Sequence, residues 1–378
     1  MLYQRPQSEL KFCERVQPRG EPVYPSTALP MGSSPALVRT ALCGSLSLFA
    51  AACGGPTMMP VDDAGPVRPT NCSNPCVCAD RGPPDYRYET TATPADTATD
   101  DQRAGLVRAN RWRTAAGLAP LDGDSNADQA ATAHAQFMAS NPASCWAGAH
   151  FQNNTAGCSG FTGRDPGARL TAAGYQWSTY GEVIDWEDTP ARAVDGWIWT
   201  VYHRKPFLRW EFVHVGYGRV NGPYNGRTAF HNVMDLAAPR SGRSGTRPST
   251  FAIFPVPGQT DVPTGFRGDL EGPTPPAPGT LGAWPRGLSS GTVISAHFND
   301  NNFSVTSHEL FKSNPDSNLC DPVEHTMIST ANDANLRNSP DVFLYANAEL
   351  SAQSEYVVRL RGTLGGANFE RTWAFTTR

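Results

Sequence analysis

The chain has 378 residues, a formal net charge of −4 at pH 7 and 17% charged residues. That balance carries no basic field of the kind that holds a phosphate backbone, so nucleic acid is not an expected partner. Aromatic residues at 10%, including nine tryptophans, exclude a wholly disordered chain.

Taken from the N-terminus, residues 41–52 form the most apolar run. They are too few to span a bilayer, which takes about 20. Arg39 precedes the run and Ala50, Ala51 and Ala52 close it, which is the layout of a secretory signal. Residues 1–52 are read as that signal region, with Met31 as the start of a signal of ordinary length. Cleavage after Ala52 would leave Cys53 first, and residues 48–53 resemble a bacterial lipobox, which predicts lipidation of Cys53. Residues 53–98, rich in Pro, Thr, Asp and Ala, are read as a lipoprotein tether.

The chain has nine cysteines. Cys13 and Cys43 would go with the signal. Cys72, Cys76, Cys78, Cys145, Cys158 and Cys320 would remain, and outside the cytosol they are expected in disulfides. Cys145 and Cys158 bracket one short loop and are the expected pair. The spacing of Cys72, Cys76 and Cys78 is not a standard zinc pair, which favours disulfides there too.

Order is expected from Asp101. A helix over 101–116 ends at Gly117. A second, over 125–140, takes Ser125 as cap and carries Ala130, Ala133, His134, Phe137 and Met138 at helical spacing. His134 on that stripe reads as a core histidine in preference to a ligand. A third helix is expected over 168–174 and a fourth opens at Thr189 and Pro190, with Val194, Trp197, Ile198 and Val201 on one face. Strands follow over 212–218 and 228–236, with His214 and His231 as packing residues. This pattern predicts an α+β layered domain over 99–238. Residues 239–250 read as a linker. Beyond it, short strands such as 292–298, 355–360 and 369–375 between Gly/Pro turns predict an all-β sandwich over 251–378.

Several stretches resemble the CAP superfamily (cysteine-rich secretory proteins, antigen-five, pathogenesis-related proteins; the SCP domain) in its bacterial form. They are residues 106–113 and 116–121, then 131–138, then Ala149, His150 and Phe151. Gly181, Glu182 and Val183 follow, then Trp197, then Tyr202, His203 and Arg204, and last Val215, Gly216, Tyr217 and Gly218. The second region resembles an Ig-like module, through residues 254–263 and 371–377.

The resemblance implies a CAP-type α-β-α sandwich over 99–238, and a cleft with His150, His203 and Glu182. The family's second acid falls on Trp199 here and does not transfer. Imidazoles are good Zn²⁺ ligands, and Glu182 could orient one of them or hold a metal-bound water. The same residues could equally brace the fold as a hydrogen-bonded pair. Trp177, Trp186, Trp197, Trp199 and Trp210 are mostly core residues, some of which could line a groove for lipid or glycan. No nucleophile elbow, H-E-x-x-H, P-loop or dinucleotide fingerprint occurs. The expectation is an exported protein, lipid-anchored in the bacterial envelope, binding a divalent metal, lipid or envelope polymer without turnover. The alternatives are a metal-assisted hydrolase, with Glu182 as its catalytic group, and a rigid adhesion module.

Overall fold

A computed structural model describes residues 73–82, 92–314, 319–337 and 339–378. The signal region, Met31, Cys53 and Cys72 lie outside them.

The first segment is α1 (Pro75–Cys78), a single turn capped by Asn74. Helix α2 (Asp100–Ala115) starts at a complete capping box. The Thr99 side chain accepts from Gln102 N–H, and the Gln102 side chain accepts from Thr99 N–H. After β1 (Asp122–Gly123), α3 (Ser125–Ser140) is capped by Asp124, not by Ser125. A carboxylate accepts the Asn126 and Ala127 N–H groups and also favours the positive end of the helix, so it wins over the hydroxyl next to it. A small hairpin, β2 (Trp146–Ala147) and β3 (Phe151–Gln152), carries His150 in its turn. Then come α4 (Pro166–Ala172), β4 (Trp177–Asp185), α5 (Pro190–Ile198), α6 (Arg204–Phe207), β5 (His214–Tyr224) and β6 (Arg227–Pro239). Thr189 caps α5 as its sequence predicts.

These strands form one sheet in the order β1-β5-β6-β4. Alternation along β5 sorts its side chains to two layers. Val215 and Tyr217 join a core with Leu106, Ala109, Val194 and Trp197 from α2 and α5. Gly216 and Gly218 face α3. A Cβ on Gly216 would lie 2.0 Å from the Ala127 carbonyl carbon, and one on Gly218 2.3 Å from Thr132 N. The Val-Gly-Tyr-Gly motif is therefore a packing device: helix and strand touch backbone to backbone there. Helices on both faces make the α-β-α sandwich, with the whole an α+β fold.

The second half supplies β7 (Phe251–Phe254), β8 (Gln259–Val262), β9 (Gly265–Phe266), β10 (Ser290–Gly291), β11 (Ile294–Phe298), β12 (Phe303–Asn314), β13 (Leu319–Pro322), β14 (His325–Ile328), β15 (Asp341–Ala346), β16 (Glu355–Leu364) and β17 (Ala367–Thr377). Sheets of order β14-β15-β11-β7 and β13-β12-β16-β17-β8 face each other. Ile294, Ala296, Val342 and Leu344 from one meet Leu310, Val358, Leu360 and Trp373 from the other. This is the β-sandwich the short strands predict.

Two observations change the domain picture drawn from sequence. First, part of the segment read as a tether is ordered. Asp80 pairs with Trp373 beside β17, Cys76 is bonded to Cys320, and Thr93 bridges to Asp122. Its Pro and Asp residues are those of capped turns as well as of linkers, so composition alone does not separate the two. Second, the cores of the two halves interlock. Ala252, Phe254 and Val256 belong to the same cluster as Leu106 and Trp112, while Val201 belongs to a cluster with Phe266, Val293 and Phe343.

Candidate functional site

Strand register builds the centre of the site. Glu182 on β4 pairs with Asp235 on β6, which pairs with Gly216 on β5. Residues paired across an antiparallel ladder share a face. Glu182 and Asp235 therefore point to the α3 side of the sheet, side by side.

The Glu182 side chain is 1% exposed. Its Oε1 accepts from His150 Nδ1 at 2.9 Å, and its Oε2 accepts from Arg169 Nη2 at 2.5 Å. Burial alone would raise this carboxyl. Arg169, His134 and His150 outweigh that effect and hold it well below the usual carboxylate range. Arg169 comes from α4, is fully buried, and also donates through Nη1 to the His150 carbonyl at 3.0 Å. Asp235 is fully buried, and among the described residues neither of its oxygens has a hydrogen-bond partner. Burial, and then the charge on Glu182, push its carboxyl far up. Two adjacent carboxyl groups thus share one negative charge, which sits on Glu182 against Arg169.

His150 is 30% exposed at its side chain. A carboxylate can only accept, so Nδ1 carries the proton and the lone pair of the neutral ring lies on Nε2. His134 supports this residue from below. It is fully buried, its Nε2 bonds the Ala149 carbonyl at 2.8 Å, and Gln152 Nε2 donates to its Nδ1 at 3.0 Å. Burial pushes it down to about 4, so it stays neutral. Both nitrogens are occupied, as expected of a core histidine. The bond also holds Ala149 at φ 62°, in the left-handed region, where the turn before His150 needs it.

His203 makes its contacts elsewhere. Its Nδ1 faces Glu271 Oε1 at 3.2 Å, and Glu271 belongs to the C-terminal half. Trp199, at the position of the family's second acid, packs edge-on against Trp112 and at 5.1 Å from Phe254. It joins the two halves. With Arg108, Arg111, Trp112, Gln259 and Asp261 it also lines a cavity of about 280 Å³. That lining is charged as well as aromatic, unlike a purely apolar lipid groove. Trp197 is buried in the core and Trp186 stacks on Tyr224 at 4.1 Å.

For a zinc, the direct ligands within reach of this arrangement are few. Catalytic zinc takes three protein ligands. Both Glu182 oxygens are occupied, one by a guanidinium, so Glu182 is no direct ligand, while His150 and His203 each have Nδ1 on a carboxylate and keep Nε2 as the nitrogen a metal would take. Among the described residues no three His, Cys, Asp or Glu side chains converge as a metal would require.

The Cys145–Cys158 disulfide is present as its spacing predicts, and Cys76 pairs with Cys320. Cys78 is also disulfide-bonded. Arg169, Asp235 and Glu271 carry no signal in sequence that joins them to His150 or His203. Asp235 lies in an apolar strand, where an isolated acid is a legible oddity; Arg169 and Glu271 look like ordinary surface charges.

The model of the cysteine-rich secretory protein family, CAP, matches residues 106–235. No curated protein matches significantly. Among solved structures, an extracellular protein containing a SCP domain from Bacillus anthracis str. Ames is 20% identical over 36% of this chain, with a TM-score of 0.28. The match spans 40% of that protein's chain. Helices on both faces of one sheet, the His150–Glu182 pair at its centre and the family match over the same residues together make 106–235 a CAP domain of the cysteine-rich secretory protein family.

Proposed function

We propose that this chain is an exported CAP protein that binds an envelope component at the face around His150 and does not turn it over. The observation that carries this reading is the state of Glu182. A hydrolytic base needs a free oxygen and an affinity for protons matched to the working pH. Glu182 has both oxygens bonded and is held strongly acidic by Arg169. What the site does present is the half-exposed imidazole of His150, rigidly oriented by a buried carboxylate.

Export is supported by the disulfides Cys76–Cys320 and Cys145–Cys158, which suit an oxidising compartment. Anchoring through a lipid on Cys53 belongs to the same proposal, and mass spectrometry of membrane-extracted protein would test it. The binding test is co-sedimentation with peptidoglycan sacculi and with phosphatidylglycerol vesicles, beside calorimetric titration with zinc chloride. Binding to one of them that His150→Ala weakens about tenfold, the size of one lost charge-assisted hydrogen bond, supports the reading. Hydrolysis of peptide or peptidoglycan by the parent, abolished in a folded Glu182→Gln variant, would replace it with the hydrolase reading.

A further inference from the structure

The His203 loop is held from outside the CAP domain. Glu271 follows the short turn Gly268–Leu270, and its side chain is 1% exposed. One oxygen, Oε2, accepts from Val201 N–H at 2.9 Å. The other, Oε1, accepts from Tyr202 N–H at 2.6 Å and His203 N–H at 3.3 Å, and faces His203 Nδ1 at 3.2 Å. Three consecutive backbone donors thus converge on one carboxylate. Neighbouring residues are gripped by the same module. Tyr202 donates its hydroxyl to Asp333 at 2.6 Å, and Arg204 donates to Ser295 Oγ at 3.0 Å.

A carboxylate that has lost its water costs several kcal/mol unless its lone pairs are filled. Here the Val201, Tyr202 and His203 backbone fills them, and His203 Nδ1–H completes the set. The ring is thereby confined to the tautomer with its lone pair on Nε2. His150 is confined to the same tautomer by Glu182. The carboxylate comes from a CAP strand for His150 and from the C-terminal module for His203.

We infer that Glu271 is the positioning residue of His203, and that the C-terminal sandwich is a working part of the CAP surface that completes it. The module does not merely hang beside the domain. It sets which nitrogen of His203 meets whatever approaches from solvent. The inference stands apart from the binding reading at His150: its readout is the state of the His203 ring, so either can fail without the other.

The experiment is long-range ¹H–¹⁵N NMR on the full chain with ¹⁵N-labelled histidine, with His203→Gln assigning the signal. In the parent, His203 is expected as the single Nδ1–H tautomer. In Glu271→Gln, which keeps the shape and removes the charge, that single-tautomer pattern is expected to be lost to a mixture. His150 is the internal control and should not change. A parent His203 with its proton on Nε2 overturns the inference, whether or not the variant folds. So does a folded Glu271→Gln in which His203 keeps the parent pattern.

Discussion

At the scale of single residues, the site is decided by who holds a proton. Glu182 and Asp235 are adjacent, and only one can be charged at moderate cost. Arg169 selects Glu182. Replacing Glu182 with Gln strands a buried guanidinium, and breaking a buried pair in this way costs about 3–5 kcal/mol. Asp235→Asn replaces a group that is already neutral and should change stability by less than about 1 kcal/mol at pH 5. The pH dependence separates them further. The folded-state value of Glu182 is depressed, so its contribution is present above the ordinary 4.5 and is lost as pH falls. That of Asp235 is raised, so its contribution is complete below the ordinary 3.8 and is lost as pH rises. The Asp235→Asn variant should therefore gain on the parent in thermal melts as pH climbs from 4 towards 7. An Asp235→Asn variant that loses as much stability as Glu182→Gln would place the charge on the wrong residue. The His150–Glu182 half of this site is legible in the motif. The Arg169–Asp235 half is not, because a buried charge and an exposed one are written with the same residue.

At the scale of elements, glycine is used in two opposite ways. Gly216 and Gly218 let β5 press against α3 with no side chain between them. A methyl at either place must push a helix backbone away, and overpacking of this kind costs about 1–3 kcal/mol or more. Gly216→Ala should lower the melting temperature sharply or prevent folding. Gly196 is the contrast. It lies exposed in α5, and an added Cβ would meet only Asp185 Oδ2 at an ordinary 3.6 Å. Gly196→Ala should raise stability by about 0.5–1 kcal/mol through helix propensity. Equal melting temperatures for the two variants would contradict this account of β5. The starts of α2, α3, α4 and α5 were readable from caps and periodicity to within a residue or two, as at Thr189 for α5, whereas the single turns α1 and α6 were not, and α5 ends at Ile198, short of the expected Val201. Strand β4, which carries Glu182, was not. Its burial does not alternate, and a Cβ added to Gly181 in its middle would lie 3.1 Å from the Pro206 ring, a close approach with no local signature.

At the scale of the molecule, the N-terminal segment is clamped to the far end of the chain. Cys76 and Cys320 are 244 residues apart in sequence and directly bonded. Arg81 adds a two-pronged pair with Glu355, and Asp80 exchanges backbone hydrogen bonds with Thr372 and Ala374. Removing a native disulfide costs about 2–5 kcal/mol. The Cys76→Ser/Cys320→Ser variant should lose about that much stability and melt at a lower temperature, with residues 73–82 the first to be cut in limited proteolysis; unchanged melting and an intact segment would show that the other contacts suffice. The sequence by itself determined the class of each half, the helix caps, the motif pair His150 and Glu182, and the Cys145–Cys158 loop. The classes, caps and loop follow from periodicity, local chemistry or short spacing, and the His150–Glu182 pair from the resemblance to a family motif. Tertiary structure alone decided that Arg169 and Asp235 settle the charge of Glu182, that Glu271 holds His203, and that Trp199 serves the junction of the two halves. Those partners are brought together by sheet register and by the packing of one module on another, and neither leaves a trace in the spacing of residues along the chain.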